Sequence, residues 1–356
     1  MITVNYGKDW AKTTYETLSA SDISSYLRAD MAVALKPNLV NATHPSEGAT
    51  THPEVLEGII QFLQDFGVRQ IKIMESSAIG NSTKRAYKVC GYEYLTKKYG
   101  VPLVDLKNAP TKTLHHSGLD IQIAAEALAA EFLIDVPVLK AHCQTRLTCC
   151  LKNLKGCIPE NEMRRFHTLG LHTPIGALAA LLPIHYCVVD GICGDLSFEE
   201  GGSPVESNRI IAGRDALLVD SFCAGLIGYK PEDIGYLVHA QKSGVGSFFS
   251  EQVPVVELNT ANKPTLQQKS TRIAERYRKG NSNIVEKDAC SVCYAALIFA
   301  LHRANSGNTK TICIGQSFKG ESNPEMLGIG NCTANFSDYV KGCPPKAVDI
   351  LERLNG

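Results

Sequence analysis

The stretch MAVALKPNLVNATHPSEGATTHPEVLEGIIQFLQDFGVRQIKIM, residues 31–74, decides the fold class. Met31 to Leu35 is an apolar run of strand length, followed by a loop at Lys36-Pro37-Asn38. From Pro53 the positions Val55, Leu56, Ile59, Ile60 and Leu63 fall on one stripe at helical spacing. Pro53 suits the first helical position and Gly67 the stop, because proline lacks an amide hydrogen and glycine tolerates a left-handed turn. Ile71 to Met74 is the next strand. Working outward, Val101 to Leu106 and Phe132 to Val136 read as strands, with a helical pattern over Ala124 to Ala130 between them. His185 to Val189 reads as a buried strand that ends at Asp190-Gly191. Asp215 to Ile227 and Pro231 to Ser243 read as paired helices, and Val253 to Leu258 as a late strand. This alternation predicts an α/β fold with a mostly parallel sheet flanked by helices. Ligands of such sheets bind at the carboxyl ends of the strands. The loops after Leu35, Met74, Val136 and Val189 are therefore where chemistry is expected.

The chain has 356 residues, enough for two domains at about 150 residues each. After the polar segment Asn259 to Asn283, which carries a charged helical pattern at Thr271 to Arg278, cysteines and glycines dominate. A boundary near Gly280 divides an α/β domain, 1–280, from a cysteine-rich segment, 281–356. Lys plus Arg and Asp plus Glu both number 36, which argues against a dedicated nucleic-acid binder. Apolar runs such as Ile175 to Ile184 fall short of the roughly 18 residues of a membrane span. The stretch Met1 to Trp10 lacks a basic-then-apolar signal, so a cytoplasmic protein is expected.

Thirteen cysteines, an odd number in a large chain without an export signal, do not read as a disulfide framework. Cys290-Ser291-Val292-Cys293 places two thiolates within reach of one metal centre. Cys332 follows Gly328-Ile329-Gly330-Asn331, and Cys343 precedes Pro344-Pro345. Glycines let the backbone wrap an inorganic cluster closely, and a proline after a ligating cysteine recurs in iron–sulfur ligation. Cys290, Cys293, Cys332 and Cys343 are thus expected to hold a 4Fe–4S cluster, with structural zinc and unligated thiols as alternatives. Cys313, inside the apolar run Thr311 to Ile314, is expected to be a small buried hydrophobe. Cys143, Cys149, Cys150 and Cys157 form a second group, read as buried or idle thiols with a second cluster as the alternative, and Cys90, Cys187, Cys193 and Cys223 read as buried or idle thiols.

Basic loops form the second constellation. Lys36 and Asn38 follow one strand, Lys140 and His142 another; Lys152, Asn153 and Lys155 share a run, and Arg164-Arg165-Phe166-His167 is a further one. Lysine charge and asparagine amides converging from several loops would hold an anion, whereas lysines scattered over the surface would hold nothing. Asp190, beside glycine at a strand end, is placed to orient a ligand or a base; a turn-capping role is the plain alternative. His142 and His167 are candidate proton carriers because imidazole titrates near neutrality. His44 and His52 share that chemistry, but His52-Pro53 reads better as a helix start. Asp215 reads as an N-cap and Asp220 as a solvated helical acid. No glycine-rich dinucleotide or P-loop fingerprint and no G-x-S-x-G is present.

Leu35-Lys36-Pro37-Asn38, Val136 to His142, Leu151 to Gly156, Val189 to Ile192 and Gly213 to Asp220 together resemble the signature stretches of the domain of unknown function 362 family. That resemblance implies an iron–sulfur protein, commonly with ferredoxin-like cysteine repeats. This chain instead carries one dispersed four-cysteine set, so a single cluster is expected. The expected function is a redox enzyme acting on a small anionic molecule. Lys36, Asn38, Lys140, Lys152, Asn153 and Lys155 would hold the substrate, His142 or His167 would move protons, and Asp190 would orient the site. The alternatives are an electron carrier that docks a redox partner protein, and a non-redox enzyme with a structural cluster. Nucleic acid and membrane are not expected partners, and a homo-oligomer is the assembly to test for.

Overall fold

The computed structural model describes residues 1–142, 144–196, 201, 204–264, 283–289, 291–304 and 310–355. Cys143, Cys290, the helical pattern Thr271 to Arg278 and the expected boundary at Gly280 lie outside the described residues. The rest falls into two compact units. The first holds the described residues up to 264 other than His142 and Gln144; the second holds those two and the described residues from 283 onward.

Eight strands build the sheet of the first unit: β1 Ile2–Tyr6, β2 Ala32–Pro37, β3 Gln70–Glu75, β4 Leu103–Asp105, β5 Phe132–Val136, β6 Tyr186–Asp195, β7 Pro204–Gly213 and β8 Val255–Leu258. Their order is β8-β1-β7-β6-β5-β2-β3-β4. The run β6-β5-β2-β3-β4 is parallel throughout, whereas β7 is antiparallel to both β6 and β1. The fold is therefore α/β, with a large, mostly parallel sheet flanked by helices. Alternate strand residues bury on opposite faces, as the period of two demands. Ala34, Met74 and Leu133 join one apolar cluster, and Val33, Leu35, Ile73 and Ile134 the other.

Helix α1 spans Trp10–Ser19 and α2 Pro53–Phe66. In α2 the stripe Val55, Leu56, Ile59, Ile60 and Leu63 is fully buried, each side chain stabilising by about 1.5–3 kcal/mol relative to exposure. Gly67, at φ 106°, closes this helix in a left-handed turn. The remaining helices used below are α3 Cys150–Asn153, α4 Glu160–Leu169, α5 His172–Leu181, α6 Ala216–Leu226 and α7 Gly235–Lys242. Among the described residues no helix is long and apolar enough to cross a membrane.

Three local expectations need correction. Lys36-Pro37 is the end of β2 and not a loop, because the ladder to β5 continues through Lys36↔Asp135 and Pro37↔Val136. Asp190 lies in the middle of β6, since β7, a strand not foreseen, pairs with it at Asp190↔Ile210 and carries it onward past a bulge. Asp220 is not solvated: it is fully buried, and its carboxylate accepts the amides of Cys150 at 2.7 Å and Leu151 at 3.1 Å. Asp215 does cap α6, accepting from the Leu218 amide.

In the second unit, β9 Ile284–Glu286, β10 Ile312–Ile314, β11 Leu327–Ile329 and β12 Asp338–Val340 form a parallel sheet in chain order. Helix α8, Ser291–Arg303, follows β9.

Candidate functional site

Parallel register brings the ends of β2, β3 and β5 side by side. Lys36 stands opposite Asp135, and Glu75 closes β3 next to them. All three are buried. Lys36 Nζ donates to Glu75 Oε2 at 2.9 Å, to Asn153 Oδ1 at 3.0 Å and to the Pro37 carbonyl at 2.8 Å. The same Glu75 carboxylate accepts the amides of Leu39 at 3.0 Å and Ser76 at 2.7 Å. Asn153, at the end of α3, is the hub: its Nδ2 donates to Asp135 Oδ1 at 2.8 Å and to the Lys36 carbonyl at 3.1 Å.

Burial sets the proton affinities here. It holds Asp135 well above the usual carboxylate range, against the pull of Lys36. It also raises Glu75, with Lys36 and the two amides pulling the other way. Asp135 Oδ2 has no hydrogen-bond partner among the described residues. One lysine thus meets two buried carboxyl groups in this network. Neither acid was singled out from the sequence, although Glu75 and Asp135 border the strand ends where chemistry was expected.

A cavity of about 80 Å³ opens onto this network. Lys36, Asn38, Lys152, Asn153 and Lys155 all line it, together with Glu75. Three lysines against one glutamate give the lining a positive balance. Gly156 closes one wall: a Cβ there would stand 1.8 Å from Glu75 Oε1 and 2.6 Å from Lys36 Nζ, so only glycine lets the backbone approach the ion pair. Lys140 is buried beside the cavity and donates to Asn38 Oδ1 at 3.4 Å and to the Ala49 carbonyl. Lys155 Nζ lies 3.2 Å from His167 Nε2. Burial first, then Lys155 and Lys152, push His167 down to about 2, so its ring is neutral at physiological pH.

Asp190 sits outside this cavity, in a pair of its own. Its Oδ2 accepts from both the backbone amide of His52, at 2.8 Å, and the ring Nδ1, at 2.9 Å. Burial pushes the His52 imidazole down, but the Asp190 carboxylate overrides it and brings the ring up to about 10. Trp10 packs edge-on to that ring at 4.7 Å. Thr51, next to His52, links the pair to the cavity: its hydroxyl accepts the Asn38 amide at 2.8 Å. His142 belongs to the second unit, where its Nδ1 accepts the Gln144 amide at 3.1 Å.

In the second unit the cysteine loops leave the same, carboxyl edge of the parallel sheet. Cys293 lies in the first turn of α8; Cys332 follows β11 and Cys343 follows β12. Gly330, at φ 85°, and Gly342, at φ 143°, turn these two loops toward each other. Asn331 ties them, its amide donating to the Gly342 carbonyl and its Oδ1 accepting the Gly342 amide, both at 2.9 Å. A Cβ on Gly330 would stand 3.9 Å from Cys293 Sγ, so this thiol faces the same loop pair. Cys293 and Cys332 are half-buried and Cys343 is exposed. Cys313 is fully buried beside Phe318 and Phe336, with its thiol 3.3 Å from Met326 Sδ.

A thylakoid-associated protein of Synechocystis is 24% identical over 245 residues, 64% of this chain and 73% of that one. Among solved structures, the lactate racemase apoprotein of Thermoanaerobacterium thermosaccharolyticum aligns at 14% identity with a TM-score of 0.42, over 65% of this chain. A Thermotoga maritima protein aligns at 12% identity with a TM-score of 0.35, over 67% of this chain. The chain spans 57% and 59% of the lengths of those two structures. The family described as Domain of unknown function (DUF362) matches residues 33–225, a span that runs from β2 to α6 and contains every residue of the cavity, and the chain belongs to that family.

Proposed function

We propose that the first unit binds a small anionic molecule in the Lys36–Lys155 cavity and that the second unit holds a 4Fe–4S cluster, making the chain an iron–sulfur redox protein. The convergence of Lys36, Lys152 and Lys155 on one cavity with Asn38 and Asn153 carries the first half. A volume of about 80 Å³ suits a ligand of a few non-hydrogen atoms, such as a short carboxylate, and not a nucleotide. Lys152 and Lys155 would meet the anion. Lys36, already neutralised by Glu75, would fix the floor. Glu75 lines the cavity with a carboxyl that burial raises, which makes it the candidate for proton transfer there.

The cysteine loops fit the second half. Thiols from three loops at one sheet edge, with glycines where side chains would crowd them, match what a cluster needs. Cys290, Cys293, Cys332 and Cys343 would be the ligands, and a bound 4Fe–4S cluster supplies electrons one at a time. The exposure of Cys343 favours a second reading, an electron carrier that docks a redox partner protein, over a sealed structural cluster.

Calorimetric titration of the intact chain with acetate and with phosphate tests the cavity. Lys155→Met is expected to weaken binding by about tenfold to a hundredfold, the loss of one charge-assisted hydrogen bond. Absence of binding in the parent, or unchanged affinity in the variant, overturns the anion reading. For the cluster, Cys332→Ser and Cys343→Ser should each lower iron content sharply in anaerobically prepared protein, and Cys313→Ser should not. Equal iron in Cys343→Ser and the parent would end the ligand assignment.

A further inference from the structure

Cys149, Cys150 and Asp220 form a knot in the first unit that neither the cavity nor the second unit's cysteines use. One ligand atom from each lies within 4.8 Å of the other two, and all three residues are fully buried. Three elements build it. The adjacent cysteines sit at the start of α3, Asp220 and Cys223 share one face of α6 at a spacing of three, and Cys187 comes from β6. Cys223 and Asp220 act electrostatically on Cys149, and Cys187 on Cys150.

We propose that Cys149, Cys150 and Asp220 hold a thiophilic divalent ion of the zinc class, with Cys223, one helical turn beyond Asp220, as the candidate fourth ligand. The spacing fits. With metal–sulfur bonds of about 2.3 Å, tetrahedral coordination sets neighbouring sulfurs about 3.8 Å apart, and Cys149 Sγ and Cys150 Sγ stand 3.9 Å apart. The chemistry fits as well. A fully buried acid among thiols keeps its proton unless a cation displaces it. Asp220 has no ion-pair partner among the described residues, and its two amide hydrogen bonds leave lone pairs for a metal. Arg209 is buried near Cys223, with an Nε that lacks a hydrogen-bond partner, and offsets part of the excess negative charge. An ion here would clamp α3, which carries Lys152 and Asn153, to α6. The site uses no residue of either half of the proposed function, so its test is independent of them.

The experiment uses the full chain with Cys290, Cys293, Cys332 and Cys343 all changed to Ser, so that the second unit offers no thiolate set. Refolded with zinc, this protein is expected to retain about one zinc per chain by elemental analysis. Cobalt in its place should give a thiolate-to-metal charge-transfer band. Cys149→Ser and Cys223→Ser in that background should lose both signals. Should either variant fail to fold, the background protein decides alone: refolding with zinc should raise its melting temperature over refolding with chelator. No bound zinc and identical melting under the two conditions overturns the site. So does zinc that persists in a folded Cys149→Ser variant.

Discussion

Removing the Lys36 amine should expose how much the first unit depends on the ion pair at its sheet edge. Lys36 and Glu75 side chains are 0% and 3% exposed and 2.9 Å apart. Lys36→Met leaves the Glu75 carboxylate, the Asn153 carbonyl and the Pro37 carbonyl without their shared donor. Breaking a buried pair from one side costs about 3–5 kcal/mol, because the remaining charge keeps its desolvation penalty. Glu75→Gln breaks it from the other side at a similar cost. The double variant Lys36→Met/Glu75→Gln buries no unpaired charge, so it should be less unstable than the sum of the singles by about 2–3 kcal/mol. Urea unfolding followed by tryptophan fluorescence reads this unit selectively, since Trp10 is the single tryptophan and lies in α1. A coupling below about 0.5 kcal/mol, the level of independent sites, would refute the argument that the pair is a unit.

Gly156→Ala should cost about 1–3 kcal/mol, through overpacking against Glu75 and Lys36. It should also abolish acetate or phosphate binding, read by the same calorimetry. The His52–Asp190 pair predicts an alkaline loss of stability. Folded His52 keeps its proton up to about 10, whereas the unfolded ring releases it near 6.5. The stabilisation is therefore complete below about pH 6.5 and falls as pH rises toward 10, by up to about 1.4 kcal/mol per pH unit. Urea midpoints followed by circular dichroism across that range should show the slope in the parent and a flatter one in Asp190→Asn.

The sequence made the parallel sheet and the basic half of the cavity legible for one reason. Apolar runs of strand length and a 3.6-residue stripe are local signals, and a lysine just after such a run stands out. Lys36, Asn38, Lys152, Asn153 and Lys155 were found this way, and they line one cavity. The acidic half stayed hidden because its meaning is non-local. Glu75 and Asp135 look like the polar ends of strands, and nothing near them in the chain marks them. Only the parallel register, Lys36 against Asp135 across 99 residues and Glu75 alongside, turns them into partners. His52 was hidden likewise, because its helix-opening role was evident while its carboxylate partner lies 138 residues away.

That hidden half changes what the lysines mean. Read alone, four basic loops describe a bare positive pocket. Lys36 is instead neutralised before any ligand arrives, and Asn153 relays its position to the Asp135 carboxyl, which burial holds well above the usual carboxylate range. A buried lysine with two buried acids is seldom the most stable way to fill a core, since apolar side chains of similar size often do as well or better. Such a network earns its place by holding one geometry. Here that geometry fixes the floor against which Lys152 and Lys155 face the cavity. Selectivity for a small anion then follows from the fixed floor and the small volume, and not from the number of lysines alone.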